Sequence, residues 1–220
     1  MSESWTYRLE DFLLFSPRVY WRMFELHNAA LWPMHVLTLA ASAVLILLAL
    51  RRPSHHGRWI ALALALMWIF VGWSFLWNRY APINWAVVYV APGFGLQALL
   101  LGAGAAGGGI AFDRNDVAGR LGLLLALFAV AAYPLLAPLF GRPWTGAEVF
   151  GIAPEPTAIA TLGLLLRAKG GLVPLLFPVP LLWLLLSGLT LRTMGEMQAW
   201  IPFSAAVLTT VLLAVRRATR

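Results

Sequence analysis

Seven apolar runs, each close to the length of helix that crosses a bilayer, leave this sequence few ways to fold; they occupy 31–50, 59–77, 83–106, 121–140, 147–166, 172–191 and 200–215. A hydrocarbon core about 30 Å thick is spanned by roughly 20 helical residues at about 1.5 Å each. No water reaches backbone amides and carbonyls there, so a spanning chain is either helical or a closed barrel. Barrel strands alternate apolar and polar residues, whereas 62–69 (Leu-Ala-Leu-Ala-Leu-Met-Trp-Ile) and 181–186 (Leu-Leu-Trp-Leu-Leu-Leu) are apolar at both parities. The expected fold is all-α: a polytopic transmembrane helix bundle of about seven spans.

Composition agrees, with 61% hydrophobic residues, 11% charged residues and a mean hydropathy of +0.79. A soluble domain is about a quarter charged. The net charge of +7 is scattered singly or in short groups between the apolar runs, which reads as topology determination and argues against a nucleic-acid partner. The chain has no cysteine, which excludes disulfides, thiolate metal sites, iron–sulfur ligation and cysteine nucleophiles. The first thirty residues lack the basic, apolar and small-residue sections of a cleavable signal peptide.

With the N-terminus outside, ten basic residues lie inside (Arg51, Arg52, Arg58, Arg114, Arg120, Arg167, Lys169, Arg216, Arg217, Arg220) against six outside (Arg8, Arg18, Arg22, Arg79, Arg142, Arg192). Positive charge is retained in the cytoplasm, so the N-terminus is expected out and the C-terminus in. The chain divides into an N-terminal segment, 1–30, and a helix bundle, 31–220. In the first, Ser16-Pro17 reads as an N-cap with proline at the first helical position, opening an amphipathic interfacial helix. Trp32, Trp77, Trp85, Trp144 and Trp200 all fall near outer helix ends, as an interfacial belt requires.

Seven of the nine acidic residues (Glu3, Glu10, Asp11, Glu25, Glu148, Glu155, Glu196) fall on the outer side or in an outward-opening segment; Asp113 and Asp116 are the inner two. Acids contribute little to topology. They either solvate the outer loops and pair with Arg79, Arg142 and Arg192, or line an outward-facing polar vestibule. The fifth run, with Gly151-Ile152-Ala153-Pro154-Glu155-Pro156-Thr157, is the least ordinary membrane sequence. It is a full span carrying Glu155 into the core, a broken or re-entrant segment of the kind that builds ion sites, or a loop at headgroup level. The residues expected along an ion or solute pathway are Glu155, Glu148, Arg142, Gln97 and His35. A spacing echo between Arg79 and Pro92 and between Arg142 and Pro154 hints at an internal duplication.

No cofactor or metal site is expected. His27 and His35 are about 12 Å apart along one helix, too far for two axial ligands of one iron, and His55 and His56 lack carboxylate or thiolate company. The glycine-rich stretch 102–109 is not a phosphate loop. Ser42, Ser74, Ser187 and Ser204 sit in no motif that assembles a base and oxyanion donors, which argues against an enzyme.

Gly141-Arg142-Pro143-Trp144, Glu148-Val149-Phe150-Gly151-Ile152-Ala153-Pro154-Glu155-Pro156-Thr157-Ala158 and the opening Asp11-Phe12-Leu13-Leu14-Phe15-Ser16-Pro17-Arg18 resemble a family of small, functionally uncharacterised bacterial multi-pass membrane proteins, some of them labelled as permeases. The resemblance implies a bacterial inner membrane. Two functional expectations stand: a small permease or channel for an ion or small polar solute, or a non-catalytic accessory or assembly subunit of a larger membrane complex or homo-oligomer.

Overall fold

The computed structural model describes residues 13–51 and 56–218. Glu3, Arg8, Glu10, Asp11, Arg52, His55 and Arg220 lie outside the described residues. Nine α-helices run in the order α1 (Pro17–Leu31), α2 (Met34–Arg51), α3 (Gly57–Val71), α4 (Val87–Ala106), α5 (Val117–Leu127), α6 (Leu136–Leu139), α7 (Pro154–Leu166), α8 (Pro178–Thr193) and α9 (Trp200–Ala218) among the described residues. α3 continues in wide π-helical turns over Gly72–Tyr80, and α5 reaches α6 through π-helical and 3₁₀ turns.

Among the described residues, six stretches are long and apolar enough to cross a membrane: Met34–Arg51, Gly57–Tyr80, Val87–Ala106, Val117–Leu139, Val173–Thr193 and Met197–Arg217. Each coincides with an apolar run of the sequence. The fifth run differs, because residues 147–153 are not continuous helix and α7 has only 13 residues, every one buried. At about 1.5 Å per residue that helix is roughly 20 Å long. Pro154 takes the first helical position, where its missing N–H costs nothing, and Ala153 before it is extended, as a residue preceding proline prefers. By contrast α4 runs unbroken through Pro92, so the two echoing prolines occupy different local structures.

An isolated helix start inside the protein leaves amides without partners. Here Pro154 and Pro156 have no N–H to satisfy, and threonines tie the lead to the helix and the helix to its neighbour. The Gly151 N–H donates to Thr157 Oγ1 (2.9 Å), whose hydroxyl donates to the Ala153 carbonyl (2.6 Å). Thr161 Oγ1 donates to the Thr157 carbonyl (2.7 Å) and accepts from Trp68 Nε1 of α3 (2.9 Å). Gly151 sits at φ +79°, a backbone region that costs glycine nothing.

Close packing holds α7 in place, because lipid gives helices no hydrophobic reason to associate. A Cβ on Gly163 would lie 2.4 Å from the Gly122 carbonyl oxygen of α5, and one on Gly122 would lie 2.5 Å from the Gly163 oxygen. At one end of the bundle, the chain leaving α7 is stitched to the 107–116 loop: Ala111 and Lys169 exchange hydrogen bonds of 3.0 and 2.7 Å, and the Arg114 N–H donates to the Arg167 carbonyl. The buried Arg167 side chain donates to the Ala49 carbonyl at the end of α2 (3.1 Å), and Gly57 abuts the Ile110 carbonyl. The basic residues of five loops and helix ends therefore gather at one end. α1, the 142–148 stretch and the start of α9 meet at the other, where Trp32, Trp77, Trp85, Trp144 and Trp200 are all exposed.

α1 forms as its sequence predicts: Ser16 Oγ accepts from the Val19 N–H and Pro17 is the first helical residue. Tyr20, Met23, Phe24 and His27 recur at helical spacing as its buried face.

The α5–α7 contact yields a stability test. Gly163→Ala forces a methyl group against backbone that cannot swing aside, and the expected loss is about 1–3 kcal/mol. Thermal unfolding in mild detergent should show it clearly, while Gly102→Ala, where a Cβ meets nothing within 4 Å, should leave the transition in place.

Candidate functional site

The break in the fifth segment places two carboxylates in the interior, seven residues apart in sequence. Glu148, 3% exposed, lies on the non-helical lead, and Glu155, 1% exposed, lies in the first turn of α7. An uncompensated carboxylate is expensive to bury. The two are compensated differently.

Glu148 is paired with a cation through one of its oxygens. Its Oε1 is 3.1 Å from Arg142 Nη2 and accepts from Gln198 Nε2 (2.8 Å), and the same Arg142 nitrogen donates to Gln198 Oε1. Gln198, in the 3₁₀ turn before α9, thus closes a triangle between anion and cation. The Arg142 guanidinium carbon lies 3.6 Å from the centre of the Trp21 ring on α1, within cation–π range, and Trp21 Nε1 donates to Glu196 (2.9 Å). α1 is clamped over the site by this stack, and a second tie comes from Asn28, whose amide donates to the Thr145 and Ala147 carbonyls (2.8 Å each).

Glu155 is held by a hydroxyl: Ser187 Oγ of α8 donates to Oε1 (2.7 Å), and Oε2 has no hydrogen-bond partner. Glu148 is its charged neighbour. Glu155 forms part of the wall of a small cavity of about 120 Å³ bounded by Tyr20, Tyr80, Asn84, Trp183, Ser187 and Thr190. A water needs about 10–15 Å³ of such space, so the cavity has room for a few waters or a small hydrated cation. Tyr20 and Tyr133 are fully buried within electrostatic reach of both carboxylates. Burial, with the fields of Glu155 and Tyr80 behind it, pushes the Tyr20 hydroxyl well above its ordinary range, so Tyr20 stays a neutral donor. Tyr80 and Tyr133 each stand at the end of a π-helical stretch, Gly72–Tyr80 and Phe128–Ala132, where widened turns re-aim side chains.

Of the residues expected from sequence, the structure brings Glu148 and Glu155 together and gives Arg142 to Glu148. The other two lie elsewhere. Gln97 of α4 is wholly buried and its amide donates to the Leu176 carbonyl (3.0 Å), tying α4 to the turn before α8. His35 pairs with Asn28 (3.1 Å) beside an apolar hollow lined by Trp32, Leu39, Pro134 and Trp144. Sequence reasoning missed Trp21, Asn28, Tyr20, Tyr80, Tyr133 and Gln198, and saw Ser187 only as an isolated serine. A signal existed for the tyrosines: the chain has only five, and three of them stand here. No cluster of three or more potential metal ligands exists among the described residues.

His27 on the buried face of α1 supplies a pH test. It stacks edge-on against Phe75 (5.1 Å), its Nε2 has no hydrogen-bond partner, and burial lowers it from 6.5 to about 4. The unfolded chain therefore binds the extra proton first. Stability is fully present above the ordinary histidine range and falls as the pH drops toward 4, by up to about 3 kcal/mol from this group. Thermal unfolding between pH 7 and 4 should fall less steeply for His27→Leu than for the wild type.

A family model described as a family of unknown function, DUF6064, matches residues 17–220. No curated protein and no solved structure matches the chain.

Proposed function

The chain belongs to DUF6064, a family of unknown function, and from the chemistry of its buried site we propose a small permease or channel of the bacterial inner membrane, moving an ion or small polar solute. A proton or small cation is the species that suits the site best. The observation that carries this reading is Glu155: a fully buried carboxylate with one oxygen on a serine hydroxyl, the other without a hydrogen-bond donor, on the wall of a largely apolar cavity that Tyr20, Tyr80, Asn84, Ser187 and Thr190 supply with polar groups. Purely structural carboxylates in apolar surroundings are paired, as Glu148 is. One left half-satisfied beside hydroxyls is suited to exchanging a proton or accepting a cation, and ionisable groups inside membrane segments are pathway residues by default. A break in the carrying helix is a recurrent feature of transport sites.

The topology that goes with this reading has seven crossings, the fifth made by 147–153 and α7 together. Its support is that this segment leaves the end holding Arg142 and reaches the end holding Lys169. Basic loops point that second end toward the cytoplasm. Reporter fusions after Arg220 and within 107–119 should both score cytoplasmic; a periplasmic signal from the C-terminal fusion removes the odd count.

In proteoliposomes carrying an entrapped pH dye, with cation gradients imposed, Glu155→Gln should abolish flux while leaving a folded protein of near wild-type thermal stability. Glu25→Gln, whose partner is Arg22 on the exposed side of α1, should transport normally. Wild-type flux in Glu155→Gln would end the transport reading.

A second reading, an accessory subunit, draws on α2. It is the least buried of the six long helices, 28% against 33–50% for the rest, and presents Val36, Leu37, Val44 and Leu47 outward. A stoichiometric partner retained in mild detergent, with no flux in liposomes, would establish it.

A further inference from the structure

At the opposite end of the bundle from Glu155, a cavity of about 340 Å³ opens between the start of α8 and the end of α9. Four cations converge on it from three separate segments: Arg114 from the 107–116 loop, Lys169 from the α7–α8 connection, and Arg216 and Arg217 from α9. Below them the walls are apolar, formed by Phe177, Leu181 and Leu213 on helices of membrane-spanning length.

We propose that this cavity binds the headgroup of an anionic phospholipid, with Lys169 and Arg217 engaging the phosphate and an acyl chain lying along the α8–α9 crevice.

Charge supports an anion. Two carboxylates share the cluster, Asp113 on Lys169 (3.1 Å) and Asp116 on Arg216 (3.1 Å), so four cations face two acids and an excess of two positive charges remains. Asp116 is committed to the fold: burial works against its charge, but the Gly119 N–H and Arg216 outweigh it and hold the carboxyl below its usual range. Two of the cations are positioned by backbone. Arg114 Nε donates to the Ala168 carbonyl (2.9 Å), and Arg216 donates to the Leu166 carbonyl at the end of α7. Lys169 is half exposed and Arg217 is exposed, which leaves both able to reach a ligand.

The apolar floor selects the class of anion. A free phosphate would use the rim and leave the crevice to other occupants, whereas a phospholipid satisfies both. Basic pockets between spanning helices at a membrane surface recognise anionic headgroups in this way. The inference does not depend on whether the chain transports anything, because none of these residues belongs to the Glu155 site.

The test is native mass spectrometry of the whole protein, purified in mild detergent and supplied with phosphatidylglycerol or phosphatidylcholine. Wild type should retain phosphatidylglycerol preferentially. Lys169→Gln with Arg217→Gln should weaken that retention about tenfold or more, given about 1 kcal/mol per basic residue near an anionic lipid. Arg58→Gln with Arg120→Gln removes the same charge from exposed positions at the same end of the bundle and should leave retention intact. Lys169→Arg with Arg217→Lys, which keeps the charge, should restore binding. Equal loss in both neutralised variants, or no preference between the two lipids, overturns the proposal. Displacement of the bound lipid by millimolar inorganic phosphate also overturns it, assigning the cavity to a soluble anion.

Discussion

The rest of this structure depends on how α7 begins inside the protein: Pro154 and Pro156 remove two of its first amides, and threonines tie the non-helical lead and α3 to it. Thr157 accepts from Gly151 and donates back to Ala153, while Thr161 links the same ladder to Trp68 on α3. With those groups satisfied, the fifth segment can be irregular over residues 147–153 without exposing backbone to lipid. That irregular stretch carries Glu148 inward, and the first turn of the helix carries Glu155. A continuous helix from Ala147 would set the two carboxylates seven residues apart on one helix face, about 10 Å apart in rise, with no turn to bring Arg142 beside the first.

The unequal treatment of the two acids follows from where their partners come from. Arg142 reaches Glu148 from the loop between α6 and the non-helical lead, held flat against Trp21 and bridged by Gln198. Glu155 shares its cavity with α8, α1 and the turn before α4, whose polar groups there are the hydroxyls of Ser187, Thr190, Tyr20 and Tyr80 and the Asn84 amide, not cations. One acid is thus paired with a cation and the other is held by a hydroxyl. α1 completes the enclosure, since Tyr20 closes one side of the cavity while Asn28 and Trp21 fix the helix to the loop beneath it.

Length and periodicity made six of the seven apolar runs readable as helices, because a spanning helix satisfies itself and needs little tertiary information. The Ser16-Pro17 start of α1 was equally legible from local chemistry. Pro154 and Pro156 marked the fifth run as unusual, yet sequence could not choose among span, break and loop, because the choice rests on Thr161 and Trp68 meeting across 93 residues. The membership of the site was only partly legible for the same reason. Arg142 and Glu148 are near neighbours in the chain; Ser187, Gln198 and Trp21 reach the site only through the bundle's packing. Gln97 and His35 were named from sequence as polar groups in apolar runs; in the structure each has one partner, the Leu176 carbonyl and Asn28, away from the two carboxylates.

The glycine contact between α5 and α7 also bears on how such a protein can move. Two helices whose backbones touch at Gly122 and Gly163 interlock: sliding one along the other would drive side chains such as Leu166 and Ala126 through the space the glycines leave. The pair therefore behaves as a stator. Any rearrangement of the bundle has to be carried by elements other than this pair.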